Sequence, residues 1–254
     1  KEAGVSLLCA YAPVNDVVIE ANVAGARDIP VQRLTARVKS IEVFNPRIAA
    51  LHILAPRSQR LRFLGGQYIW LACGGASGRY AIASCPCEDR QIEVQVPRRP
   101  GDAFAELVFT ALKANDSVEV EGPDGVCVLD EDSPRPVIFL AFGAGFAPIK
   151  SLVQHAMSLE FAESMDLHWL ADASGHYQDN LCRAWADALD DFVYQPLSSV
   201  ADPAEIAESI LAQHASLVRA DIYAAGPPAF LEALKTGALA RGLSPLGWHG
   251  EIIV

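Results

Sequence analysis

Between residues 31 and 129 the apolar positions fall into short runs: TARVKSIEVF, IAALHILAP, QYIWLAC, RYAIAS, IEVQVP and SVEVEG. Gly, Pro, Asn or Ser closes each run, and many short strands at close spacing predict a barrel or sandwich. One stretch among them, DAFAELVFTALK, sets Phe104, Leu107, Val108, Ala111 and Leu112 at helical spacing. After DEDSPRP (130–136), charged and proline-bearing like a linker, the rhythm changes. Strands are expected at 137–142, 166–171, 192–195 and 220–224, and helices at 147–160, 178–190, 203–213 and 228–240. Such alternation is the pattern of a parallel sheet covered by helices on both faces. Residues 1–30 follow neither pattern. The expectation is a β-barrel followed by a doubly wound α/β domain.

Composition narrows the partners. The chain has 254 residues, 51% hydrophobic and 20% charged, enough for two domains with buried cores. A net charge of −11 argues against nucleic acid and anionic membrane surfaces as partners. No apolar run reaches the roughly 18–20 residues that span a bilayer. The opening KEAGVSLLC has neither the order of a secretion signal nor an initiator Met, so a cytoplasmic piece of a longer chain is expected. The six cysteines (9, 73, 85, 87, 127 and 182) include no C-x-x-C pair and read as free thiols in a reducing compartment. Cys85 and Cys87 flank a proline; a disulfide there would be strained, so packing is the expected role. The six histidines show no metal-ligand spacing.

Candidate chemistry concentrates at two turns. AFGAGFAP (141–148) follows an apolar strand and precedes a helical segment. Gly143 and Gly145 let a ligand come close to the backbone, and Pro148 is tolerated in a first helical turn. DIYAAGPPAF (221–230) repeats the arrangement with Gly226, Pro227 and Pro228. Both turns fall at the carboxyl ends of strands, where ligands bind in these sheets.

GAGFAPIKSL followed by YAAGPPAF resembles the nicotinamide-binding half of the ferredoxin–NADP reductase superfamily. Upstream, GGQYIWL, RYAIAS, RRPGDAF and EGPDG match the flavin barrel of that superfamily in order and spacing. The resemblance implies an FAD-binding barrel at 31–133 and an NAD(P)-binding domain at 134–254. Tyr80 would lie along the flavin, with Arg79, Ala81 and Ile82 beside it on the same strand. The N–H groups of Gly101, Asp102, Ala103, Phe104 and Ala105 would take the flavin phosphates, with Arg79, Arg98 or Arg99 as counter-charge. Gly143, Ala144, Gly145, Pro148, Gly226, Pro227 and Pro228 would cradle the nicotinamide cofactor. Asp172, with no Arg or Lys between it and Arg183, favours NADH over NADPH, because a carboxylate accepts ribose hydroxyls and repels a 2′-phosphate.

The head of the chain, SLLCAYAPVNDVVIEA, resembles the end of a plant-type 2Fe–2S ferredoxin domain, which makes 1–30 its remnant and Cys9 its fourth ligand. The other three ligands are not in the chain, so a cluster is expected only in a longer protein. Members of this kind, including reductases of CDP-6-deoxyhexose and aromatic oxygenase systems, pass electrons from NAD(P)H through flavin to an oxygenase or deoxygenase partner. Several positions depart from the family. Gly78 stands where the phosphate arginine is usual, Ala81 where a serine is, and Ala105 where a hydroxyl ends the phosphate loop. These departures keep a second reading open, a flavin-free scaffold on the same fold.

Overall fold

The computed structural model describes residues 29–88, 90–160, 162–198, 202–214 and 216–253. Cys9 and nearly all of the expected ferredoxin remnant lie outside the described residues. The first half forms β1 (Gln32–Asn45), β2 (Ile48–Leu54), β3 (Tyr68–Cys73), β4 (Ala76–Ala81), β5 (Gln91–Pro97), α1 (Ala103–Thr110) and β6 (Ser117–Asp124). These strands make one antiparallel sheet in the order β4-β3-β6-β1-β2-β5. An antiparallel bridge between Ile82 and Val94 joins its two edges, which curls the sheet towards a barrel. Alternate residues face inward: Leu34, Ala36 and Val38 of β1 meet Ile69, Leu71, Tyr80, Val94 and Val118 in one core. Helix α1 plugs one end of that core with Phe104, Ala105 and Val108.

The second half begins with β7 (Val137–Phe142), α2 (Phe146–Leu159), β8 (Met165–Leu170), α3 (Asp179–Ala188) and β9 (Phe192–Leu197). It continues with α4 (Pro203–Leu211), β10 (Asp221–Gly226), α5 (Pro228–Ala240) and β11 (Trp248–Ile252). The sheet is parallel, in the order β11-β10-β7-β8-β9. Strand β7 is apolar on both faces. Val137, Phe139 and Ala141 pack with α2, while Ile138 and Leu140 pack with α4 and α5. The chain builds outward from β7 to β9 and then crosses back to place β10 on the other side of β7. That reversal opens a crevice at the carboxyl ends of β7 and β10.

The linker is pinned: the Asp130 N–H donates to the Tyr223 hydroxyl at 2.8 Å, and Ser133 and Arg135 both bind the buried Asp221 carboxylate. One expectation is corrected. Cys85 and Cys87 are joined in a disulfide, while Cys73, Cys127 and Cys182 are free. The turn at Pro86 brings their Cα atoms to 5.1 Å, inside the span a disulfide bridges, so two-residue spacing was no barrier.

Candidate active site

At the crevice, Gly143 takes φ +52°, and any Cβ there would run into the Asp172 carboxylate. Gly145 passes close against the Ala225 carbonyl, and a Cβ at Gly226 would lie 2.8 Å from Phe142 Cβ. The turn is held from beneath. Trp169 of β8 donates its indole N–H to the Gly143 carbonyl at 3.1 Å and stacks on Phe146 with ring centres 3.8 Å apart. No side chain caps α2 or α5, but the Phe146 N–H donates to the Gly143 and Ala144 carbonyls and the Phe230 N–H to the Pro227 carbonyl. Pro148 and Pro228 sit in first turns, where the missing N–H costs nothing.

Between this turn and the barrel lies a cleft of about 220 Å³ lined by Tyr68, Ala81, Gln95, Arg99, Ala144 and Ile253, among others. Ala81, Ala144 and Ala147 contribute only methyl groups to its wall. Tyr68 is 5% exposed, and its hydroxyl is buried without a hydrogen-bond partner among the described residues. An unpaired buried hydroxyl costs roughly 1–3 kcal/mol unless a ligand satisfies it. Burial also pushes the Tyr68 phenol well above its ordinary pKa, so it stays protonated and able to donate.

The strand of the expected flavin motif is faced as alternation requires. Arg79 and Ala81 point to the cleft side, opposite Trp70 and Tyr68, while Tyr80 pairs with Ile69 and points into the barrel. Tyr80 is 2% exposed, packs on Phe104 with ring centres 5.4 Å apart, and donates to Asp102 Oδ1 at 2.7 Å. Its ring packs in the barrel core, and Tyr80 and Tyr68 both line the cleft. Ile82 is fully buried beside Tyr80 in that core. Arg79 is engaged elsewhere: Nε donates to Asp124 at 2.7 Å, Nη2 to Glu251 at 3.5 Å, and the guanidinium lies 4.0 Å over the Tyr68 ring.

The loop 101–105 holds its own anion. Asp102 caps α1 by accepting from the Ala105 N–H at 2.8 Å, so a carboxylate stands where a phosphate would approach. Phe104 and Ala105 are buried in the barrel core. Arg98 is bidentate to Glu106 at 2.7 and 3.0 Å. Arg99 lines the cleft and makes no ion pair among the described residues. The cleft thus fits a planar ring with a hydrogen-bond acceptor, whereas the N-terminus of α1 does not offer a free phosphate cradle.

The two halves are tied across the seam. Lys150, 3% exposed on α2, binds both oxygens of Glu93 on β5 at 2.6 and 2.7 Å. The Tyr177 hydroxyl donates to Gln95 at 2.7 Å, and Gln95 donates to Gln178 at 2.9 Å. Tyr68, Lys150 and Gln95 were not singled out from the sequence. Tyr68 does sit in the GGQYIWL stretch, and its signal was the strand alternation that puts it beside Ala81.

Residues 139–236 match the family described as Oxidoreductase NAD-binding domain. The chain is 27% identical over 258 residues to the CDP-6-deoxy-L-threo-D-glycero-4-hexulose-3-dehydrase reductase of Yersinia pestis, covering 99% of this chain and 78% of that protein. It is 28% identical to reductase component 1 of the terephthalate 1,2-dioxygenase of Comamonas sp, covering 97% and 76%. Protein RfbI of Salmonella typhimurium is 32% identical over 82% of this chain and 64% of its own length. Among solved structures, the Amycolatopsis cytochrome P450 reductase GcoB superposes with a TM-score of 0.77 at 26% identity, covering 88% of this chain and 70% of that one. A Neisseria gonorrhoeae ferredoxin NADP+ reductase with bound FAD and NADP shares the fold, with a TM-score of 0.70 at 15% identity over 87% and 98%. Residues 139–236 match an oxidoreductase NAD-binding domain, in a chain whose barrel and parallel sheet share the fold of these reductases.

Proposed function

We propose that this chain is the reductase component of an electron-transfer system. It takes reducing equivalents from NADH in the cleft between barrel and parallel sheet and passes them through FAD to an iron–sulfur centre and an oxygenase or deoxygenase partner. Residues 31–133 form the flavin half and 134–254 the nicotinamide half. The observation that carries this reading is the Tyr68 hydroxyl, buried and unpartnered beside Ala81 and Ala144, where both half-sites meet. A bound flavin supplies a two-electron acceptor that releases electrons singly. The chain's own part is to hold two flat rings at contact distance and exclude water, which needs no side-chain acid or base. Gly143, Gly145 and Gly226 would let the cofactor backbone lie on the turn, with its phosphates near the starts of α2 and α5.

NADH is favoured over NADPH because Asp172 lies against the turn, and Arg183, the next cation along the chain, is paired with Asp179 at 2.7 Å. The test is NADH oxidation by the purified protein with added FAD and ferricyanide as acceptor. Turnover should require FAD, run faster with NADH than with NADPH, and show a KM for flavin raised about 3–10-fold in Tyr68→Phe, the effect of one neutral hydrogen bond. Absence of FAD-dependent turnover overturns the reading. The carboxylate on the α1 N-terminus favours one competing reading, the flavin-free scaffold. A colourless protein whose spectrum ignores added FAD selects that reading.

A further inference from the structure

Cys85-Pro86-Cys87 lies outside the cleft, on the seam where the barrel docks against α2. Two sides of this disulfide differ in kind. Cys87 is exposed, whereas Cys85 is 3% exposed. Behind the buried sulfur stands a relay from other elements. Cys85 Sγ is 4.0 Å from His155 Nδ1 and 3.8 Å from Ser158 Oγ, both on α2. His155 Nε2 is 3.0 Å from Glu131 Oε1, in the segment joining the two sheets. The carboxylate oxygen accepts from Nε2–H, and in the neutral ring that tautomer presents the Nδ1 lone pair to the sulfur. Two of the three other described thiols contrast with this pair. Burial pushes Cys127 and Cys182 up to about 12, which leaves them inert.

The outer side has a sign of its own. Pro86 borders a depression of about 710 Å³ that Arg57, Arg60 and Arg62 also line. All three arginines are exposed, on a chain of net charge −11. A local cluster of cations on an acidic protein draws anions to that spot.

We propose that Cys85–Cys87 is a thiol–disulfide exchange site whose substrates are small thiols and disulfides carrying carboxylates. The attacking thiolate forms a bond to the exposed Cys87 Sγ. The Cys85–Cys87 bond breaks, and its electron pair goes to Cys85 Sγ. The proton released by the attacking thiol reaches His155 Nδ1 and passes to the Cys85 sulfur, with Glu131 stabilising the transient imidazolium. A second thiol displaces Cys87 from the mixed disulfide. Two external thiols become one disulfide, and the protein pair becomes two thiols. The reverse sequence reoxidises the pair with an external disulfide. The electrons come from the external thiol, so the nicotinamide cleft takes no part.

The test equilibrates the intact chain in glutathione redox buffers, quenches by alkylation and follows the peptide containing both cysteines by mass spectrometry. The pair should interconvert fully and reversibly, with the mixed disulfide on Cys87. After correction for thiolate fraction, glutathione should react about tenfold faster than uncharged 2-mercaptoethanol at low ionic strength, and the advantage should collapse near 0.5 M salt. Arg57→Gln with Arg62→Gln should remove the same advantage, and His155→Asn should slow exchange with both thiols about tenfold. A pair that stays reduced in oxidised glutathione, or stays oxidised in excess thiol, overturns the proposal. So does an adduct on Cys85, or wild-type rates no faster than those of His155→Asn. The comparison of the two thiols on the wild-type chain keeps the test decisive should a variant fail to fold.

Discussion

The Tyr80 hydroxyl and the Asp102 carboxylate are 2.7 Å apart, and the same carboxylate caps α1 through the Ala105 N–H. One carboxylate thus fills the N-terminus of α1 and fixes the Tyr80 hydroxyl. The helix N-terminus already has an anion, and the tyrosine of the flavin strand is drawn into the barrel core.

Removing that anion should open the phosphate position. Asp102→Ser keeps a capping oxygen and removes the charge, so the helix loses little. FAD affinity, followed by quenching of flavin fluorescence, should rise about tenfold or more, because a phosphate no longer meets a carboxylate at the end of the dipole. An unchanged Kd would show that FAD does not approach α1.

Restoring the family's arginine at position 78 should not help. A Cβ on Gly78 would lie 2.5 Å from the Tyr80 hydroxyl, so Gly78→Arg forces the phenol out of a packed core. Overpacking of this kind costs about 1–3 kcal/mol. The melting temperature should fall, and FAD binding should not tighten; a variant as stable as the parent that binds FAD better would show that Tyr80 moves freely.

Lys150 and Glu93 form a buried ion pair across the seam. Lys150→Met leaves an uncompensated carboxylate and should lower stability by about 3–5 kcal/mol. Adding Glu93→Leu should recover most of that loss, since two apolar groups remove the stranded charge. Urea unfolding of the two variants reads the difference directly, and equal losses in both would place the pair outside the seam's energetics.

Acid should act first on the histidine pair under α4. His168 Nε2 and His214 Nε2 are 3.0 Å apart and share one hydrogen bond, and the Asp166 carboxylate lies 4.0 Å from His214. Burial foremost, and then His214, lowers His168 to about 4, and burial also lowers His214. Both are depressed in the folded state, so protons bind the unfolded chain more tightly. Stability is complete above the unfolded value of about 6.5 and falls as pH drops towards 4, by on the order of 3 kcal/mol at the lower end. His168→Leu should flatten the profile over that interval in denaturant titrations; a profile unchanged by the substitution would assign the acid loss to carboxylates.

Periodicity along the chain was enough to place most elements. The strand expected at 137–142 is Val137–Phe142, the helix expected at 228–240 is Pro228–Ala240, and α2 begins one residue from its expected start. Helical and extended spacing are local properties, and β7 is long and apolar enough to be unambiguous. The two glycine turns were legible for the same reason, since positive φ and close approach demand glycine wherever the chain must turn so tightly. β11 was not read, because WHGEI has no alternation of its own and becomes a strand by pairing with β10.

The site itself depended on contacts that local spacing does not carry. Which face of β4 meets the cleft follows from its pairing with β3, and that pairing brings Tyr68, beside Ala81, to the crevice that Tyr80 also lines. The Lys150–Glu93 tie joins residues 57 positions apart. The depression beside Pro86 gathers arginines from a separate loop, and the imidazole behind Cys85 comes from α2. Side-chain type and spacing determined the two sheets and the turns between them. Burial, pairing and charge neutralisation across the seam, which exist only once the chain has closed on itself, decided which of those residues face a ligand and which are consumed by the fold.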